Sequence, residues 1–111
     1  MENNISIDDF KKVEIRIGHI MSAEPISGSE KLLKLSVNFG EEVPRQVLSG
    51  IATHFPDPQA LIDKKCAFVT NLAPRQMMGL ESQAMILATS GESFFSLFEV
   101  GSDIPAGSLV K

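Results

Sequence analysis

Two stretches of this chain alternate apolar and polar residues one for one, and that spacing restricts the fold more than any other feature. Over residues 33–39, Leu33, Leu35, Val37 and Phe39 share one face with Lys34, Ser36 and Asn38 between them; over 13–17, Val13, Ile15 and Ile17 do the same around Glu14 and Arg16. A period of two places successive side chains on opposite sides of an extended backbone, so each stretch predicts a strand with one buried face. Gly18 follows the first stretch, at a point where a strand can bend or bulge.

The rest of the chain continues in short apolar segments separated by turn residues. Residues 24–30, EPISGSE, form a connecting loop, and RQVLS begins a third strand in which Gln46 and Leu48 alternate with Val47 and Ser49. CAFVTNL is a fourth strand, AMILA a fifth, and SFFSLFEV a further apolar strand after a turn at Ser90 and Gly91. Ser6 is placed to cap a short N-terminal helix, and Asp57 to cap another that starts at Pro58. Many short strands, with one small helix between the third and fourth, predict an all-β Greek-key barrel of the oligonucleotide/oligosaccharide-binding (OB) type. The expected organisation is a single domain, residues 1–111. Its five-stranded barrel covers about residues 13–89, and a C-terminal β extension from about residue 90 is expected at a dimer interface.

Composition narrows the function. The chain has no 18-residue apolar run and no basic segment leading into an apolar one, which predicts a cytoplasmic protein without a membrane span or secretory signal. A lone cysteine, Cys66, excludes an intramolecular disulfide and reads as a small buried strand residue. His19 and His54 lie in no metal-ligand spacing, Ser49 and Ser82 lack the flanking glycines of a nucleophile elbow, and the glycines are dispersed rather than grouped before a helix. No catalytic residue, metal or cofactor is therefore expected, and binding is the better class of explanation.

The net charge of −4 argues against generic binding to a polyanion, but binding depends on the field over one face and not on the sum. Arg16, Lys31, Lys34, Arg45 and Arg75 lie on or beside predicted strands and are expected to converge on one concave face. With no Trp or Tyr, and seven Phe mostly in core register, base stacking on an aromatic platform is not expected.

Four blocks, in order, carry a resemblance: DDFKKVEIRIGHI, SEKLLKLSVNFG, RQVLSGIATHF and NLAPRQMMGLESQAMILA. Together they resemble the tRNA-binding domain found at the C-terminus of bacterial methionyl-tRNA synthetases, in the structure-specific tRNA-binding protein and in the endothelial-monocyte-activating polypeptide. The resemblance implies an OB barrel that recognises the shape of folded tRNA and works as a homodimer; a further reading, compatible with it, is that the domain assists an aminoacyl-tRNA synthetase or another tRNA enzyme in trans. On matching positions it implies RNA contacts by Lys31, Arg45, Asn71, Arg75, Ser82 and Met85, to which the surface argument adds Arg16 and Lys34. Members of the family often carry basic residues near the positions of Ala73, Gln76 and Met78, so the resemblance implies weaker tRNA affinity here. The first and last blocks also resemble a CsaA-like secretion chaperone that binds peptides in a groove of its dimer, whereas EKLLKL and RQVLSGI look more like the synthetase-type domain.

Overall fold

The computed structural model describes residues 3–111. The chain opens with α1 (Ile7–Phe10), a single turn started by the Ser6 hydroxyl, which accepts from the Asp9 N–H at 3.0 Å. Then come β1 (Ile15–Pro25), β2 (Leu33–Asn38) and β3 (Arg45–Ser49), three strands paired antiparallel in sequence order. Between β3 and β4 (Lys65–Val69) the predicted short helix is instead two 3-10 turns, Ala52–His54 and Pro58–Leu61. Asp57 does cap the second turn, its carboxylate accepting from the Gln59 N–H at 3.1 Å, but Pro56 and Pro58 keep the preceding residues extended and prevent a continuous α-helix.

β4 crosses back to pair with β1. The chain then leaves the main sheet for a small hairpin of β5 (Arg75–Met77) and β6 (Leu80–Ser82), and returns as β7 (Met85–Ile86) beside β4. A second hairpin, β8 (Ala88–Ser90) with β9 (Phe95–Leu97), precedes β10 (Glu99–Val100), which pairs with β4, and β11 (Leu109–Val110), which pairs with β1. The residues after 90 therefore extend the same sheet. The main path runs β10-β4-β1-β2-β3, and hydrogen bonds then tie β3 to the residues just ahead of β7. There the Gln83 N–H donates to the Gln46 carbonyl at 2.8 Å, and the Leu48 N–H donates to the Ser82 hydroxyl at 3.0 Å. This is an all-β fold of OB type, in which local turns and side-chain hydrogen bonds complete what ladder pairing begins.

The face read from β2 packs as predicted: Leu33, Leu35, Val37 and Phe39 are all buried in one core cluster with Val47, Cys66 and Phe68. Phe39 meets Phe68 edge to face, with ring centroids 5.2 Å apart. The apolar face read from β1 packs differently. Ile20, not Ile15 or Ile17, joins that cluster; Ile17 is buried and Ile15 half-buried on the other side of the sheet, where they line an apolar depression with Ala67, Phe98, Val100 and Val110. The register of β1 slips between Ile20 and Ser22, so Met21 is the bulged residue and the inward parity changes there. Gly18 has another use: a Cβ at this position would lie 2.5 Å from Val37 Cγ1 and 2.7 Å from Phe39 Cε1. It lets β1 press directly onto the core. Gly107 is required for backbone approach, since its φ is +88° and a Cβ would lie 2.3 Å from the Phe39 carbonyl oxygen.

The phenylalanines depart from the expected core register. Only Phe39 and Phe68 are buried; Phe10, Phe94 and Phe98 are exposed, and Phe55 and Phe95 are partly buried against the core edge. Phe98 and Phe10 belong to one extended apolar face. The outer depression around Phe98 continues through Val110 into a cleft of about 460 Å³ lined by Ile7, Phe10, Val13 and Leu109. Among the described residues no helix is long and apolar enough to cross a membrane.

Candidate nucleic-acid interface

The segment 71–82 is an excursion from the sheet, and its two feet are pinned by one residue. Arg45 Nη1 donates to the Thr70 carbonyl at 2.7 Å and to the Gln83 carbonyl at 3.3 Å, the residues immediately before and after the excursion. The same guanidinium forms a two-pronged pair with Glu41, at 2.9 Å and 2.8 Å, and lies over the Phe39 ring. Its hydrogen bonds hold the Glu41 carboxyl below its ordinary value of 4.5. Gln46 adds to the clamp: its N–H donates to Gln83 Oε1 at 2.8 Å and its side-chain amide to the Glu81 carbonyl at 2.9 Å.

Asn71 and Ser82 complete this frame. Asn71 Oδ1 accepts from the Glu14 N–H at 2.9 Å while its Nδ2 donates to the Lys12 carbonyl at 2.7 Å, stapling the excursion to the start of β1. The Ser82 hydroxyl is buried, accepting from Leu48 and donating to the Ala84 carbonyl at 3.1 Å. Glu14 receives the Thr70 hydroxyl at 2.6 Å and the Arg16 guanidinium at 3.0 Å, and these two, the hydroxyl first, lower its carboxyl below the ordinary value. Arg16 also donates to the Gly107 carbonyl at 2.9 Å. Among the described residues no buried side-chain nitrogen or oxygen lacks a partner, so this polar frame is fully satisfied.

Seven of the eight residues singled out in the sequence fall into three separate places and so do not converge on one face. Arg75 and Met85 line a shallow pocket of about 50 Å³ beside Leu72 and Met77, with Ser82 at its floor. Lys34 and Arg45 border a polar groove of about 360 Å³ across β1, β2 and β3, which also holds Ser22, Ser36 and Gln46. Arg16 and Asn71 border the apolar cleft instead. Lys31, at the end of the β1–β2 loop, lies outside all three, yet that loop meets the hairpin: the Met78 methyl is 3.5 Å from where a Cβ of Gly28 would stand. The hairpin tip and the Lys31 loop are therefore neighbours.

Of ten Lys and Arg residues, five are paired to carboxylates: Lys12, Arg16, Lys34, Arg45 and Lys64. Lys65 is committed to the Ser102 and Ile104 carbonyls. Among the described residues, Lys31 and Arg75 are exposed and form no ion pair, which makes them the free cations of this end of the fold. Gln46, Gln83 and Thr70 were not singled out in the sequence, and no local pattern distinguishes them there, because their role arises from a contact between distant segments. No group of three or more His, Cys, Asp or Glu is placed to hold a metal ion among the described residues.

Fold and site together define an all-β, OB-type binding module in which a hairpin carrying the exposed Arg75 stands on a hydrogen-bonded polar frame. The family model described as "Putative tRNA binding domain" matches residues 15–109, and the chain belongs to that family. It is 44% identical over 107 residues to methionine–tRNA ligase of Lactococcus lactis and 41% identical over 110 residues to that of Thermotoga maritima, covering 96% and 99% of this chain. It spans only 16% and 17% of those two ligases. Among solved structures it is similar to a methionyl-tRNA-synthetase-related protein from Pyrococcus horikoshii, with a TM-score of 0.91 and 36% identity over 98% of this chain and 99% of that one. The CsaA chaperone of Bacillus anthracis shares the fold, with a TM-score of 0.84 at 24% identity, covering 97% of this chain and 99% of that one.

Proposed function

We propose that this chain binds tRNA without catalysis, through the end of the fold where the β5–β6 hairpin meets the β1–β2 loop, and that it does so in the cytoplasm as a homodimer. The carrying observation is that Arg75 and Lys31 are exposed and unpaired at this end, while most other cations are neutralised by the protein's own groups. Arg75 suits a phosphate gripped by parallel donors, and Lys31 contributes a mobile point charge. Lys34, held by Glu24 at 3.0 Å, is the next cation along the polar groove and can exchange its carboxylate for a phosphate. Arg45, Asn71 and Ser82 support the hairpin from below, and Met85 supplies apolar contact beside Arg75. The apolar face around Val110 is the surface for a second copy, and a synthetase or another tRNA enzyme is the partner that such a dimer would assist.

A gel-shift titration of tRNA at several salt concentrations tests this reading. With Arg75 and Lys31 of two protomers in contact, about four phosphates are neutralised and the log–log salt slope is roughly −2 to −4. Arg75→Ala and Lys31→Ala each make that slope shallower. Absence of a shift at low micromolar protein in low salt would overturn the reading, and peptide binding that survives high salt without a tRNA shift would favour the chaperone-like alternative.

A further inference from the structure

The same rim carries an aromatic pair that charge-based reasoning passes over. His54 and Phe95 stack face to face, with ring centroids 3.9 Å apart and planes within 7°. Phe95 is partly buried against the core, and the edge of Phe55 meets it with centroids 5.8 Å apart at 80°, so its ring is fixed from two directions. His54 is held by its 3-10 turn, where its N–H donates to the Ile51 carbonyl at 3.0 Å. Among the described residues its ring makes no hydrogen bond. It is nonetheless exposed, and because Phe95 covers one face, the exposed area lies on the opposite face and the ring edge.

We propose that His54, backed by Phe95, is a stacking platform for one unpaired nucleobase. The proposal rests on the RNA-binding reading above and adds a contact of a different kind. Its position supports it: the Ala52 N–H, in the turn that carries His54, donates to the Lys31 carbonyl at 2.9 Å. On the other side of the same loop, Gly28 meets the Met78 tip of the β5–β6 hairpin. Hairpin, Lys31 and platform thus follow one another along one rim, so Lys31 can meet the phosphate of a nucleotide whose base lies on His54. Beside the platform lies a cleft of about 170 Å³ lined by Phe55, Ser96 and the Lys64–Glu99 ion pair. A flat π surface accepts any base and needs no charge, which suits a chain of net charge −4 with few free cations.

Wild-type protein, His54→Ala and His54→Phe are titrated against tRNA and against a fully paired RNA duplex. Loss of a stacking partner weakens binding by about fivefold to a hundredfold. His54→Ala is expected to lose that much affinity for tRNA at an unchanged salt slope, to bind the duplex like wild type, and to differ from His54→Phe, which keeps the flat ring and the affinity. A single-stranded RNA oligomer carrying one 2-aminopurine is the second probe, its fluorescence quenched by wild type and His54→Phe but not by His54→Ala. Wild-type quenching that persists in His54→Ala, or equal loss of tRNA affinity in both variants, overturns the platform even where tRNA binds. Failure of wild type to bind tRNA overturns the parent reading instead, and the oligomer then decides the platform by itself.

Discussion

Replacing Ser82 by alanine separates a residue that touches RNA from one that holds up the surface that does. The hydroxyl is buried, accepts the Leu48 N–H at 3.0 Å and donates to the Ala84 carbonyl at 3.1 Å. Its loss strands a buried backbone N–H on β3, where no water competes for the donor, at a cost of about 1–3 kcal/mol. For a domain of this size that lowers Tm by about 4–12 °C, at roughly 4 °C per kcal/mol. Urea and thermal unfolding should be followed at one fixed protein concentration, because any self-association links apparent stability to concentration. A tRNA titration of Ser82→Ala well below its Tm should return the wild-type salt slope, since no phosphate contact has been removed. An unfolding free energy within about 0.5 kcal/mol of wild type, the ordinary range for a surface change, together with a tenfold loss of affinity, would refute the structural role and assign the hydroxyl to the RNA.

Three further outcomes follow from the packing and the charges. Gly18→Ala forces a methyl to within 2.5 Å of Val37 and should destabilise the fold by about 1–3 kcal/mol in urea unfolding; a neutral result would mean that β1 can move off the core. Folding lowers the Glu14 and Glu41 carboxyls below 4.5, so their stabilisation is present above that pH and is lost as pH falls through the folded-state values. The urea midpoint should therefore be flat between about pH 7 and 5 and decline below about 4.5, and Glu41→Gln should reduce that decline. Burial pushes the Cys66 thiol up to about 11, so a thiol reagent at neutral pH should modify it only after urea is added, and rapid reaction of the native protein would contradict the core packing.

The outer face of β1 shows how much a periodic pattern can and cannot say. Alternation at Val13, Ile15 and Ile17 identifies an extended segment with one apolar side, but not whether that side meets the core or another surface. The opposite side already carries Gly18 and Ile20, which press onto the core, so the apolar side packs on the other surface of the sheet, where Ile17 is buried and Val13 exposed. In β2 the opposite side stays polar throughout, at Lys34, Ser36 and Asn38, whereas in β1 it changes from Glu14 and Arg16 to Gly18 and Ile20. Between β3 and β4, Asp57 and Pro58 mark a start, and the local restriction that Pro56 and Pro58 place on Phe55 and Asp57 shortens the helix to two 3-10 turns.

At the candidate site the division is similar. The residue types were legible, since cations, an amide and a hydroxyl lie in ordered blocks that resemble one family, and the chain belongs to that family. Which of them face solvent was not legible, because Arg45, Asn71 and Ser82 find their partners 25, 57 and 34 residues away. The stacked pair of His54 and Phe95 was hidden for the same reason, being two unremarkable positions that only chain reversal brings together. By itself the sequence determined the all-β class, the core face of β2, both cap residues and the family, because these depend on local spacing or on composition in order. Only the tertiary structure decided which polar groups are free to meet a ligand, since a donor satisfied within the fold and one left exposed are the same residue type until distant segments meet.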